Sequence, residues 1–193
     1  MSASYDKLMA EMKEEFPKFR IVEKKDSFLM KVINVFLKVI TFGKMRTFMT
    51  RFITTVLYTV YVPPNWDDTD RVGVLKHERV HMRQMRKYGV IWFAFSYLFL
   101  WTPAVFARFR RVYEQEAYEE SMRHDAADHG IESIEEPAYR NHTINHFTSA
   151  QYFWTWPFRK SIEKWYDSTA QRIRLEMGLP LKDNKQQEHN NGG

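Results

Sequence analysis

Two histidines four residues apart, with a glutamate directly after the first, carry the clearest chemical signal in this chain: His77, Glu78 and His81 in "LKHERVHMRQM". On an α-helix, positions i and i+4 lie about 40° apart and one turn along. Both imidazoles therefore point to one side and can converge on a single ion. Glu78 falls on the flank of that face, where it reaches a water on the ion more easily than the ion itself. Two ligands with a base beside them suit a metal that activates water for hydrolysis, and zinc takes imidazole and carboxylate donors in such sites. Gln84, three residues past His81 on the same face, is a candidate hydrogen-bond donor supporting the metal site.

A catalytic zinc site needs a third protein ligand and one open position. The chain has no cysteine, so that ligand must be a histidine or a carboxylate. Gln84 and Lys87 stand where a glycine and a third histidine would extend the motif, so the third ligand comes from elsewhere. The stretch "RRVYEQEAYEES" offers Glu114 and Glu116. Two positions apart on a helix, they point in nearly opposite directions, and one site can take only one of them. Glu114 shares its face with Tyr118 and Ser121; Glu116 shares its own with Tyr113 and Glu120. An acidic helical stretch is ordinarily a solvated face, but here it follows one helix after the histidine pair. "NHTINH" puts His142 and His146 at the same spacing as a rival pair. It lacks the following glutamate, and its Asn and Thr residues weaken a helix. His142 and Tyr139 are candidates for steadying an oxyanion, with a plain surface histidine as the default reading of His142.

The elements that must position these groups can be read from periodicity and punctuation. Residues 4–15 are polar and predict a short exposed helix, ended ahead of Pro17. Residues 27–42 are apolar except for Lys31, Asn34 and Lys38, which share one narrow helical face. A helix apolar over most of its circumference belongs in a core, with a membrane interface as the alternative. Residues 47–62, rich in β-branched and aromatic types, predict one or two strands stopped by Pro63 and Pro64. "NWDDTD" then supplies N-cap candidates for a helix from Asp68 or Asp70 to Tyr88, with Gly89 in the C′ position. Its core side would be Val74, Leu75, Met82 and Met85, away from the histidines.

Residues 90–107 carry no formal charge, and Pro103 divides them. Thirteen helical residues cover about 20 Å against about 30 Å of bilayer core. They predict a buried helix broken at "WTP", with a membrane hairpin as the alternative. Thr102 and Pro103 open a further helix running to about Asp128 and closed by Gly130. The chain is polar to Ser149, then aromatic in "YFWTWPFRKSIEKWY", with a helix starting near Pro157; the end, "LKDNKQQEHNNGG", predicts disorder.

The whole chain bounds these readings. Its 193 residues, 44% hydrophobic and 16% aromatic, suit one globular domain. Without cysteine, disulfides, thiolate zinc sites and cysteine nucleophiles are excluded. The polar start is not a signal peptide, which points to the cytoplasm. The net charge of +5 is spread among interleaved acids, so no nucleic-acid partner is expected. Lys24 with Lys25, and Arg108 with Arg110 and Arg111, would suit an anionic membrane surface, as would peripheral contact through residues 28–42 or 90–107.

"KHERVHMRQ" followed by "YEQEAY" resembles the gluzincin class of zinc metallopeptidases, whose second helix carries a ligand glutamate ahead of an alanine. The order "TVYVPPNW", "HERVHMRQ", an aromatic stretch, "FRRVYEQEAYEES" and "YFWTWPFRKSIEKWY" is similar to uncharacterised predicted metallopeptidases of bacteria and their phages, over roughly residues 45–170. The resemblance implies His77, His81 and Glu114 as ligands of Zn2+, Glu78 as general base and a peptide or protein substrate. Where the family often has an aspartate bonded to a ligand histidine, this chain has Tyr118. The implied fold is mainly α (α+β): a zincin-like minimal core with a small β-hairpin or sheet before the motif helix. The expected organisation is an N-terminal amphipathic helical region at 1–44, a metallopeptidase domain at 45–178 and a tail at 179–193. An extended peptide would pair with the edge of "TVLYTVYV".

Overall fold

Local preferences and tertiary packing agree along most of this chain. A computed structural model describes residues 3–40, 42–43, 46–64, 66, 71–98, 107–149, 156 and 158–182. The elements run α1 (Ala3–Glu15), β1 (Arg20–Glu23), a 3-10 turn (Lys24–Asp26), α2 (Phe28–Ile40), α3 (Phe48–Arg51), β2 (Thr54–Val56) and β3 (Thr59–Val62). There follow α4 (Arg71–Tyr88), α5 (Val90–Leu98), α6 (Ala107–His129), α7 (Ile131–Glu135), α8 (Pro137–Thr148) and α9 (Arg159–Glu176). The protein is mainly α with one small mixed sheet ahead of the motif helix, as expected. The proposed caps at Asp68, Asp70 and Thr102, the break at "WTP", Pro157 and most of the C-terminal tail lie outside the described residues.

The chain divides into two units, Met1–Phe95 and Ser96–Gly193, with the boundary inside α5. In the first unit the sheet order is β1-β3-β2. β3 runs parallel to β1, with Ile21 opposite Val60, and antiparallel to β2, with Thr55 opposite Val60. All four β3 residues are buried, so this strand is the middle of the unit's core. The 1–44 region is woven into this sheet through β1. β2 and β3 are joined by Leu57 and Tyr58, with Leu57 held at φ 56°, a backbone state disfavoured for a γ-branched residue. The Tyr58 ring stacks on Phe16 at 5.4 Å, which anchors the turn.

Four expectations change in this unit. α1 is not an exposed helix: Leu8 and Met12 are buried, and α1 lies against α4. Its polar appearance came from Glu11 and Glu15, which pair with Arg79, while Glu15 also takes Arg83. Residues 48–51 form a helical turn rather than strand, leaving only 54–56 and 59–62 as the hairpin. α2 is not a core helix. Met30 is buried with Phe48 and Tyr61, but Phe28, Val35 and Val39 are 81%, 61% and 69% exposed. α5 is likewise mixed, with Phe93 buried and Ile91 and Trp92 exposed.

In the second unit, α6 runs to His129 and ends at Gly130, whose φ of 86° suits the helix C′ position. Met122, Ala126, Ile131, Ile134, Tyr166, Ala170 and Ile173 form one core, and Ile144, Phe147 and Ile162 another beside Trp165. The Tyr166 hydroxyl donates to the Ile134 carbonyl at 2.5 Å, and burial pushes its pKa upward. The polar stretch after Gly130 is helical as α7 and α8, because Ile131, Ile134, Ile144 and Phe147 at helical spacing find that core.

Candidate metal centre

α4 is the element that positions the histidines, and it ends at Gly89 with φ 84°. Leu75, Met82 and Met85 are buried on the side the sequence assigns to the core, with Val74 half-buried. Gly73, Glu78, His81 and Gln84 are buried as well, so the chemistry-bearing side of the helix is also covered. The His77 and His81 rings lie 4.9 Å apart, centroid to centroid, at 78°, as the i, i+4 spacing requires.

Gln84 meets His81, but as an acceptor rather than the expected donor: its Oε1 stands 2.9 Å from His81 Nδ1. With the amide oxygen as acceptor, Nδ1 carries the proton and Nε2 keeps its lone pair for a metal. Glu78 is held from the sheet. Thr55 Oγ1, on β2, donates to Glu78 Oε2 at 2.5 Å. A cation stands in the same neighbourhood: Lys24 is fully buried, and the field of Glu78 favours its charged form. Lys24 Nζ donates to the Phe48 carbonyl at 2.9 Å and sits 3.7 Å from the centre of the Phe48 ring. Burial nevertheless pushes its ammonium down to about 7. Lys24 is thus no part of a surface patch with Lys25. Sequence gave no signal for Thr55 or Lys24, since a strand threonine and one of two adjacent lysines carry no mark of a buried partner.

In the second unit α6 separates the two acidic candidates. Glu114 is buried, at 4% exposure, alongside Tyr113 and Ala117, whereas Glu116 is exposed. One ligand atom each from His77, His81 and Glu114 lies within 4.8 Å of the others, the one such group of three among the described residues. Tyr118 packs on the rings of His146 and Phe147, at 4.9 and 5.4 Å. His142 is exposed on α8, and the His142 and His146 pair joins no such group. Tyr139 donates its hydroxyl to Asp125 Oδ2 at 2.5 Å. Of the arginine cluster, Arg111 lies over the Trp156 ring at 4.2 Å.

No family model, curated protein or solved structure matches this chain.

Proposed function

We propose that this protein is a zinc-dependent hydrolase of peptide bonds, with His77, His81 and Glu114 as metal ligands and Glu78 as general base. The observation that carries the reading is the gathering of two imidazoles and one buried carboxylate. Donors about 2.1 Å from one tetrahedral ion stand about 3.4 Å apart. A group enclosed within 4.8 Å needs only a small inward rotation of its side chains to meet that spacing. Two nitrogens and one oxygen, with no thiolate in the chain, suit zinc and leave room for a fourth donor. When bound, such a metal supplies Lewis acidity, polarising a carbonyl and acidifying a water.

The chain's own groups do the rest. Gln84 holds the His81 ring so that Nδ1 carries the proton and Nε2 the lone pair. Thr55 fixes one Glu78 oxygen, which leaves the other to take a proton from an attacking water and pass it to the leaving amine. β3 is the central strand, so of the two hairpin strands β2 is the one at a sheet edge, where an extended peptide would pair. β2 is also the strand that carries Thr55 to Glu78, so a peptide laid there runs close to the base.

The test is metal content and turnover together. The protein should bind one equivalent of zinc, and His77→Ala and Glu114→Ala should each lose it. Glu78→Gln should keep the zinc and lose cleavage of any peptide the parent hydrolyses. Zinc retained in Glu114→Ala would remove that ligand from the proposal. Full activity in Glu78→Gln would leave a metal-holding binding protein in place of an enzyme.

A further inference from the structure

We propose that α2 is an interfacial helix that lays its outward face on an anionic lipid surface. α2 has two apolar sides. Met30, Ile33 and Leu37 face the first unit's core, where Met30 is buried with Phe48 and Tyr61. At about 100° per residue, Phe28, Val32, Val35, Phe36 and Val39 fall on the opposite side, within an arc of about 100°. All five are exposed, and Phe42, just past the helix, is 93% exposed. A contiguous apolar stripe of this kind on a water-facing helix marks an interaction surface. Phe42 adds a second sign: its backbone is held at φ 50°, unusual for a bulky residue, with its ring almost wholly in solvent.

Charge identifies the occupant. From Phe28 to Trp66 the chain carries five cations (Lys31, Lys38, Lys44, Arg46, Arg51) and no acid. Lys31 and Lys38 are exposed and fall together along one border of the stripe, where their long stems can lie along it and their ammonium groups can reach lipid phosphates. A second copy of this face would bring no carboxylate to meet those cations. The helix lies on the surface and does not cross it: 13 residues span about 20 Å, and no helix among the described residues is long and apolar enough to traverse a membrane.

Flotation of the full chain with phosphatidylcholine vesicles, with and without phosphatidylserine, tests this. The parent should float with the anionic vesicles, and paired Val35→Glu and Val39→Glu should abolish it. Both sites are exposed, and an unchanged circular dichroism spectrum would verify the fold. Each lysine near an anionic surface strengthens binding about fivefold, so Lys31→Glu with Lys38→Glu should weaken it at least about twenty-five-fold. His77→Ala should float like the parent, which separates this inference from the metal reading. A parent that ignores anionic vesicles overturns the proposal, as does binding indifferent to the lysine reversal. Self-association abolished by the two valine changes, without flotation, would assign the stripe to a second copy instead.

Discussion

Gln84 offers the sharpest probe of the metal centre, because its role rests on one contact. Its amide oxygen is 2.9 Å from His81 Nδ1, and both side chains are buried. In Gln84→Ala that acceptor is gone. Leaving a buried donor without its partner costs about 1–3 kcal/mol, a penalty borne with or without metal. It should therefore appear as lower stability of the metal-free protein in a urea titration. The effect on zinc has a different origin. An imidazole whose far nitrogen is no longer held can rotate, and losing such a supporting contact weakens metal affinity about 10–100-fold, or about 1.4–2.7 kcal/mol. Competition against a chromophoric chelator reads this directly. Gln84→Glu keeps an acceptor at the same reach and strengthens it with charge, so its zinc affinity should equal or exceed that of the parent. If Gln84→Ala binds zinc as tightly as the parent, or both variants lose affinity equally, the amide does not orient the ring.

Two further outcomes concern charge in the first unit. Arg83, and then Arg79, hold the Glu15 carboxyl down to about 2 against the opposing effect of burial. The folded protein thus binds fewer protons there than the unfolded chain, and the gain is full above about pH 4.5 and lost as pH falls towards 2. Glu15→Gln should cost about 1–2 kcal/mol at pH 7, moderated because Arg83 and Arg86 are half exposed, and almost nothing near pH 2 by urea denaturation. An equal cost at both pH values would refute the ion-pair origin. Lys24 acts in the opposite sense: burial pushes its ammonium down to about 7, so the unfolded chain binds more protons between pH 7 and 10.5. The parent should gain stability across that window, and Lys24→Met should lack that gain while being no less stable at pH 7. Equal gains in both proteins would show that Lys24 does not titrate there.

The motif helix was legible because three independent signals coincide: an apolar stripe of Leu75, Met82 and Met85, basic residues in the last turns, and Gly89 just beyond. The choice between Glu114 and Glu116 could be narrowed to one by geometry but not decided from α6 alone. Burial of Glu114 depends on what packs around it, and no pattern within "YEQEAY" encodes that. α1 misled for the same reason, since Glu11 and Glu15 look solvated until Arg79 and Arg83 are brought opposite them from 64 or more positions away. The hairpin turn was hidden because Leu57 occupies a site where glycine or asparagine would ordinarily announce itself. α2 was clear as a helix and wrong as a core element, because a lysine border leaves open which apolar side faces the protein.

The same-direction pairing of β1 with β3 has a consequence for how the protein is made. β2 can zip to β3 across a two-residue connection, but Arg20 meets Thr59 only after 38 intervening residues have been looped back. Closing that loop costs entropy before any pairing rewards it, so the middle strand should acquire its second neighbour late. During that interval β3 offers an open ladder of amides and carbonyls to any passing strand, and a newly synthesised chain is most vulnerable there to sticking to its neighbours.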